Sequence, residues 1–407
     1  MNQSQLRELF PNLSVKVYGK PLVYFDNAAT SHRPQSVISK WEEMALRKNA
    51  NIHRAVHSLS SQATEEVEKT RDYIKDYLNA ADRSEIIFTS GATASVNLVA
   101  FSFGEAFVGE GDEIIVSESG HHSNIVPWQM LCQRKKANIR VLHVDEDGIP
   151  DVSSLRTMLS SRTKIVAVSH ISNVLGLVNP VKEICRICHE SDVPVLVDGA
   201  QGIVHCKVDV QDLGCDFYVF SGHKVYAATG TGVLWGRKSL LDKMPPYMGG
   251  GEMIETVSFS GTTFAPAPAG FEAGTQNILS MPTLVPAIGL QKEIFASEAY
   301  KQYEAVGEYL YEKLSSDPRI KVYGVPRGTV KKVPLFSFTV QGAHHEDLAL
   351  ILDKMGIAVR SGQMCAEPLM DRFGVSGMLR ASLAPYNTMQ EAELFIKSLD
   401  KAINMLA

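Results

Sequence analysis

Asp216-Phe217-Tyr218-Val219-Phe220-Ser221-Gly222-His223-Lys224 is an apolar run that stops abruptly in small and polar residues. The stretch from Asp216 to Phe220 is short, aromatic and β-branched, as a strand covered on both faces should be. A lysine just beyond the end of such a strand sits where burial and neighbouring positive charge lower its pKa. The resulting free amine can form a Schiff base with an aldehyde cofactor. Taken alone, the same four residues also fit an ordinary solvated lysine in a turn, because short motifs recur by chance. The sequence on either side decides between the two.

Working outward, similar runs alternate with helix-period segments from about residue 22 to 236. Leu22 to Phe25, Glu85 to Thr89, Glu113 to Ser117, Ile139 to Val144, Lys164 to Ser169, Val193 to Val197 and Gly232 to Trp235 read as further strands. Between them, Gln62 to Leu78 places Val67, Thr70, Ile74, Tyr77 and Leu78 on one helical face. Strand–helix–strand repetition predicts an α/β layer structure with a mainly parallel sheet and right-handed crossovers. Ligands of such sheets gather beyond the strand C-termini. After about residue 245 the texture changes: Gly249-Gly250-Gly251 and Phe264 to Gly270 read as mobile loops, and Pro282 opens a helical segment to about Leu314. A smaller α+β unit follows, with strands at Val333 to Val340, Ile357 to Val359 and Leu379 to Leu383, a helix at Glu346 to Met355 and a last helix from Thr388. The expected division is a large α/β domain over 18–285 and a small α+β domain over 286–407 that includes the N-terminal segment 1–17.

Two more strand ends match the lysine. Val195-Leu196-Val197-Asp198-Gly199-Ala200-Gln201 puts a carboxylate at the end of an apolar strand. An aspartate there keeps the ring nitrogen of pyridoxal phosphate (PLP) protonated, as the electron-sink chemistry requires; a turn or helix-cap role is the plainer alternative. Thr89-Ser90-Gly91-Ala92-Thr93 lies between strand and helix, so backbone N–H groups and the hydroxyls of Ser90 and Thr93 can face a phosphate, or simply cap the helix. Cys365 falls in a loop between Gly362 and Pro368, away from any apolar face, where an accessible thiolate could work. Cys185 and Cys188 form a Cys-x-x-Cys pair on a predicted helix with no second pair, and the His-His pairs lack companions, so no metal site is expected. Cys132, Cys206 and Cys215 read as structural.

Composition narrows the class. The chain has 407 residues, 45% apolar and 21% charged, with a formal net charge of -5. It is long enough for two cores, too apolar for wholesale disorder, and lacks the basic patch a nucleic-acid partner needs. The N-terminal residues show no secretory pattern and no run reaches the length of a membrane-spanning helix. Six cysteines in this length suit a reducing compartment, so a cytoplasmic protein is expected.

The chain resembles the group II cysteine desulfurases, with their selenocysteine lyase-like members, within the fold type I, class V aminotransferase-like PLP enzymes. The resemblance runs through Tyr24 to Thr30, Asn51 to Arg54, His121 to Trp128, Ser172 to Gly176, Asp198 to Gln201, Ser221 to Lys224, Phe271 to Thr275, Arg360 to Ala366, and Leu379 to Ser382 with Tyr386 to Thr388. It implies a fold type I PLP-dependent transferase in which Lys224 holds the cofactor, Asp198 meets the ring nitrogen and His121 stacks on the ring as acid/base. Gln201 and Asn173 would tune the ring oxygen, with Asn173 also on the substrate. Ser221, His223, Ala92 and Thr93 would surround the phosphate, with Thr275 reaching in from a second subunit, which implies a homodimer. Arg380 would clamp the substrate carboxylate, while Ala28, His53, Arg54 and Arg360 would line the mouth. Cys365 would take the sulfur as a persulfide and pass it to an acceptor protein serving iron–sulfur cluster assembly. L-cysteine is the implied substrate, with L-selenocysteine open as a second.

The sequence departs from the family pattern at several points. Met364 stands where histidine is frequent before the nucleophile, Ala227-Ala228 replace Gly-Pro, and Ser95, Gly120 and Gln276 replace common Glu, Glu and Pro. None removes a group that makes or breaks a bond, but Met364 takes away a possible proton donor or thiolate partner beside Cys365, which bears on turnover and sulfur transfer more than on cofactor binding. Three rivals stay open: a selenocysteine lyase, another PLP reaction such as transamination or epimerisation that ignores Cys365, and a non-catalytic sulfur-relay or scaffold protein.

Overall fold

The computed structural model describes residues 1–406. Its centre is a seven-stranded sheet: β1 (Ile86–Thr89), β2 (Glu113–Ser117), β3 (Asn138–Leu142), β4 (Thr163–Ser169), β5 (Val195–Asp198), β6 (Phe217–Ser221) and β7 (Gly232–Gly236). The spatial order is β1-β7-β6-β5-β4-β2-β3. The pairs from β6 through β3 are parallel, and β7 runs antiparallel to both β6 and β1. The apolar runs follow from burial on both faces: in β6, Tyr218 and Phe220 enter one core while Phe217 and Val219 enter the other. Val195 and Val197 of β5 likewise oppose Leu196. Each such side chain taken from water contributes about 1.5–3 kcal/mol.

An edge strand must satisfy its outer N–H groups. On β1, Phe88 N–H donates to the Glu272 carboxylate at 2.7 Å, and Arg71 donates to Ile86 O and to both Glu272 oxygens. Arg71 and Glu272 are almost fully buried, so each charge needs the other.

The C-terminal sheet consists of β10 (Ile320–Tyr323), β11 (Leu335–Val340), β12 (Arg360–Gly362) and β13 (Met378–Ser382), with β8 (Ile254–Ser258) and β9 (Gly261–Phe264) forming a hairpin before it. Its order is β10-β11-β13-β12, antiparallel throughout. Its core gathers Phe336, Phe338, Leu379 and Ala381 with helices Glu298–Ser316 and Met389–Leu406. The N-terminal residues Leu6, Phe10 and Leu13 pack into the core of the large sheet, while Gln3 bonds to Pro385 O and Asn387 O.

Several sequence expectations shift. The run Leu22 to Phe25 does not join the large sheet; Val23–Tyr24 pairs in parallel with Ile357–Ala358, because its apolar residues Val23 and Phe25 belong to the C-terminal core. The helix from Pro282 is two helices, Leu284–Phe295 and Glu298–Ser316, separated where Ser297 N–H bonds back to Ile294 O. The glycine- and proline-rich region holds the β8–β9 hairpin, whose polar, exposed strands gave no apolar signal. No helix among the described residues is long and apolar enough to cross a membrane.

Candidate active site

The C-terminal ends of β4, β5 and β6 and the turns after β1 and β2 converge on a cavity of about 470 Å³, closed from the other side by β12, β13 and the loop between β12 and the helix Glu367–Phe373. Lys224 ends a single tight turn after β6, and Gly222 at its start has no room for a Cβ, which would lie 2.2 Å from Thr231 Oγ1. The Lys224 amine is buried. Desolvation lowers its pKa, Asp198 opposes that, and Arg380 adds to it. It is the only lysine among the lining residues.

Asp198 closes β5. Its Oδ1 accepts from Ala200 N–H at 2.9 Å, yet burial raises its pKa against the help of that bond and of Lys224. Among the described residues no lysine or arginine forms a salt bridge with this carboxylate, and Lys224 is the nearby positive charge. Gln201 donates from Nε2 to Ala28 O at 2.9 Å, fixing the N-terminal segment over the site.

The anion end is built by the helix Ala92–Phe107, which has Gly91 at its N-cap and no side-chain cap. Ala92 N–H donates to Ser221 Oγ at 2.8 Å, leaving the Ser221 proton and the next backbone N–H groups for a ligand. Gly232 lets this turn approach, since a Cβ there would lie 2.4 Å from Gly91 Cα. His223 lines the same end, with Nδ1 at 3.2 Å from Thr30 Oγ1 and its pKa pushed down to about 4 by burial and the nearby Lys224 and Arg33.

His121 follows β2. Its Nδ1 accepts from Ser123 N–H at 3.1 Å, which places the ring proton on Nε2 in the neutral form. Burial, then Lys224, His122 and Arg380, hold its pKa down to about 4, so it is neutral at physiological pH.

Arg380 on β13 is buried. Its Nη1 donates to Asn173 O at 2.8 Å and its Nη2 to Asp26 Oδ1 at 3.2 Å, while Nε has no partner. Arg380 lines the cavity, and in a planar guanidinium Nε–H lies parallel to one N–H of Nη2, so this edge has the form of a fork for a carboxylate. Asp26 also pairs with Arg360 at 3.0 Å, holding both arginines.

Cys365 is exposed at the cavity rim. Met364 and Cys365 both have positive φ, 54° and 55°, a strain of about 1–2 kcal/mol per residue for side chains with a Cβ. Neighbours over-determine the loop: Asn173 Nδ2 donates to Met364 O and His122 N–H to Cys365 O, both at 2.8 Å, and Glu367 N–H donates to His122 Nε2 at 3.0 Å. Met364 is 9% exposed and packs with Val174, Leu175, Leu369 and Met370. The residue flagged in sequence as a lost proton donor is thus the loop's apolar anchor.

Thirteen of the residues singled out in sequence line the cavity: Ala28, Ala92, Thr93, His121, Asn173, Asp198, Gln201, Ser221, His223, Lys224, Arg360, Cys365 and Arg380. His53 and Arg54 are not among them: both are exposed, His53 within 3.8 Å of Glu68 and Arg54 paired with Glu252 at 2.9 Å. Thr275 is exposed and also outside the cavity of its own chain. Sequence reasoning gave no role to Asp26 or His122. Asp26 lay inside a quoted motif, but a salt bridge to residues 334 and 354 positions away leaves no local signal.

The donor set fits pyridoxal phosphate: a buried carboxylate in no salt bridge among the described residues, uncapped helix N–H groups beside Ser221, and a buried amine between them. Replacing Asp198 with asparagine tests the first of these. A raised carboxyl pKa adds stability that is full below the unfolded value of about 3.9 and is lost as pH rises through the folded value. Cofactor-free Asp198→Asn protein is therefore expected to melt above the cofactor-free parent, with a gap that widens from acid to neutral pH. Its activity should fall by roughly 10²-fold. Equal melting at all pH values would mean that Asp198 is already neutralised by the protein.

Residues 23–395 match the aminotransferase class-V family. The chain is 43% identical over 407 residues to the probable cysteine desulfurase of Vibrio cholerae, covering 100% of both, and 43% identical over 404 residues to the cysteine desulfurase of Serratia proteamaculans, covering 99% and 98%. Among solved structures, the cysteine desulfurase CsdA of Escherichia coli, with an S-sulfonic acid, superposes with a TM-score of 0.91 at 35% identity over 100% of both chains. The apo cysteine desulfurase of Thermococcus onnurineus gives 0.90 at 35% identity, covering 98% and 99%.

Proposed function

The chain belongs to the class V aminotransferase family, with cysteine desulfurases as its kin, and from that premise we propose that it takes the sulfur of free L-cysteine onto Cys365 and releases L-alanine. The observation that carries this reading is the placement of one exposed thiol, Cys365, on the rim of the cavity that Lys224 and Arg380 also line. Transamination or epimerisation at this site has no use for that thiol.

When bound, pyridoxal phosphate supplies an aldehyde for the substrate amine and a conjugated ring that absorbs charge from the α-carbon. Lys224, with its depressed pKa, supplies the amine and then the base for the α-proton. Asp198 supplies the negative charge that a protonated ring nitrogen needs. The Nε and Nη2 edge of Arg380 takes the substrate carboxylate, with the guanidinium fixed by Asn173 O and Asp26. His121 offers Nε2–H toward the cavity and carries protons to or from the substrate. Cys365 Sγ, as thiolate, bonds to the substrate sulfur as the Cβ–S bond breaks; the bonding pair stays with the carbon side, where a proton completes the methyl group of alanine, and a persulfide is left on Cys365.

The same reading includes a homodimer, in which the exposed Thr275 serves the neighbouring site. It also includes an acceptor protein that carries the sulfur toward iron–sulfur clusters, in a cytoplasmic setting that keeps Cys365 reduced. L-selenocysteine would enter by the same route, since the softer atom meets the same thiolate.

The test is the purified protein's absorption spectrum, followed by addition of L-cysteine with a reductant. A visible cofactor band and cysteine-dependent alanine and sulfide in equal amounts are expected. A keto acid or D-cysteine as product would overturn the desulfurase reading in favour of another PLP reaction.

A further inference from the structure

Asn173 serves the site twice, since its carbonyl accepts from Arg380 and its amide holds the Cys365 loop at Met364 O. It lies in a buried turn, Ser172 to Gly176, closed by Gly176 N–H to Ser172 O and by Ser172 Oγ accepting from Leu175 N–H. Its four successive carbonyls all receive donors from the C-terminal part of the chain. Arg380 donates to Asn173 O, Ser337 Oγ to Val174 O at 2.5 Å, Lys332 Nζ to Leu175 O, and Val333 N–H to Gly176 O at 2.8 Å.

Lys332 stands out among these donors. Its side-chain amine is buried and also donates to Tyr323 O at 3.1 Å and Gly324 O at 3.0 Å, so three carbonyls match the three N–H bonds of an ammonium. Among the described residues no carboxylate is one of its partners, although Glu304 and Glu308 line the 410 Å³ cavity beside it. Burial pushes its pKa down to about 7. A cation kept in such a place without a counter-ion costs stability. The backbone around it is closely packed: a Cβ on Gly176 or Gly324 would lie 2.7 Å from a backbone oxygen, Leu335 O and Leu175 O respectively.

We propose that Lys332 is a positioning residue for the active site, acting through the Leu175 carbonyl and the Ser172–Gly176 turn to fix Asn173, and so both Arg380 and the Cys365 loop. The inference rests on the desulfurase reading for its second half, the placement of Cys365. Its first half, the placement of Arg380, holds for any carboxylate ligand of this site.

The experiment compares Lys332→Met with the parent as holoenzymes, with Lys331→Met as a neighbouring control. For Lys332→Met, KM for L-cysteine is expected to rise about tenfold and kcat to fall about threefold, with cofactor content unchanged. Titration with L-alanine, which presents the carboxylate without turnover, should show the same tenfold loss in the shift of the cofactor band. Lys331→Met should stay within twofold in both. A merely structural lysine would lower the melting temperature and leave KM and L-alanine affinity of the folded enzyme at parental values, which overturns the proposal. If Lys332→Met does not fold, Lys332→Gln, which has at most two donors for the three carbonyls, takes its place, and parental KM and L-alanine affinity there overturn the proposal as well. Should the parent release no alanine from L-cysteine, the functional reading fails, while the L-alanine titration still decides the role of Lys332.

Discussion

Lys224→Ala is expected to abolish L-cysteine-dependent alanine formation, with a loss of at least about 10⁴-fold, while the protein still folds. The size follows from two functions in one side chain. Lys224 offers the amine that receives the cofactor aldehyde, and it is the base nearest the reacting carbon; general-base removal alone is worth about 10²–10⁴-fold. No second lysine lines the cavity to take over either task. Folding survives because the amine makes no hydrogen bond that another group depends on, and burial already works against its charge. The check pairs alanine release by mass spectrometry with the absorption spectrum: the variant should bind the cofactor weakly, lose it on gel filtration, and recover little activity when it is added back. Retention of more than about a hundredth of the parent rate would remove Lys224 from the mechanism. The same variant is the sharpest test of the scaffold alternative, since a protein that only relays sulfur would be indifferent to this lysine.

Those consequences were legible in sequence because strand ends are local features. β5 and β6 each announce themselves as apolar runs, and Asp198 and Lys224 stand within four residues of where the runs stop. The parallel sheet then brings them together by register, Asp198 opposite Val219. What stayed hidden depends on contacts across the chain. Asp26 holds two arginines more than 330 positions away, and nothing in its own surroundings marks it. Met364 read as a missing proton donor because the family pattern draws attention to histidine, whereas its packing against Val174 and Leu369 shows that an apolar group is needed to seat a loop with two left-handed residues. His53 and Arg54 stood in a matching motif, whose residues do not announce their contacts with Glu68 and Glu252. The exposed β8–β9 hairpin escaped for the opposite reason: with neither face buried, it carries no alternation of apolar and polar residues to read.

Cys365→Ser separates the first half of the proposed reaction from the second. Arg380, Asp26, Asn173 and Lys224 are untouched, so binding of L-cysteine and its effect on the cofactor band should persist with a dissociation constant within about threefold of the parent KM. Sulfur transfer should fall by about 10²–10³-fold, because a serine hydroxyl at neutral pH is a far weaker nucleophile toward sulfur than a thiolate and cannot hold a persulfide. The loop itself should not move. The bonds that hold it run to the carbonyls of Met364 and Cys365 and to Glu367 N–H, none of which involves Sγ. The decisive readout is therefore chemical: parent enzyme given one equivalent of L-cysteine without reductant should gain one sulfur atom on the peptide that carries Cys365, and the variant should gain none. L-selenocysteine sharpens the result. The weaker carbon–selenium bond can release selenium without the thiolate's attack, so the variant should keep more of its activity on the selenium substrate than on L-cysteine. Equal and undiminished release of alanine and sulfide from L-cysteine would place Cys365 outside the reaction and assign the loss of sulfur to a route that needs no thiol at this position.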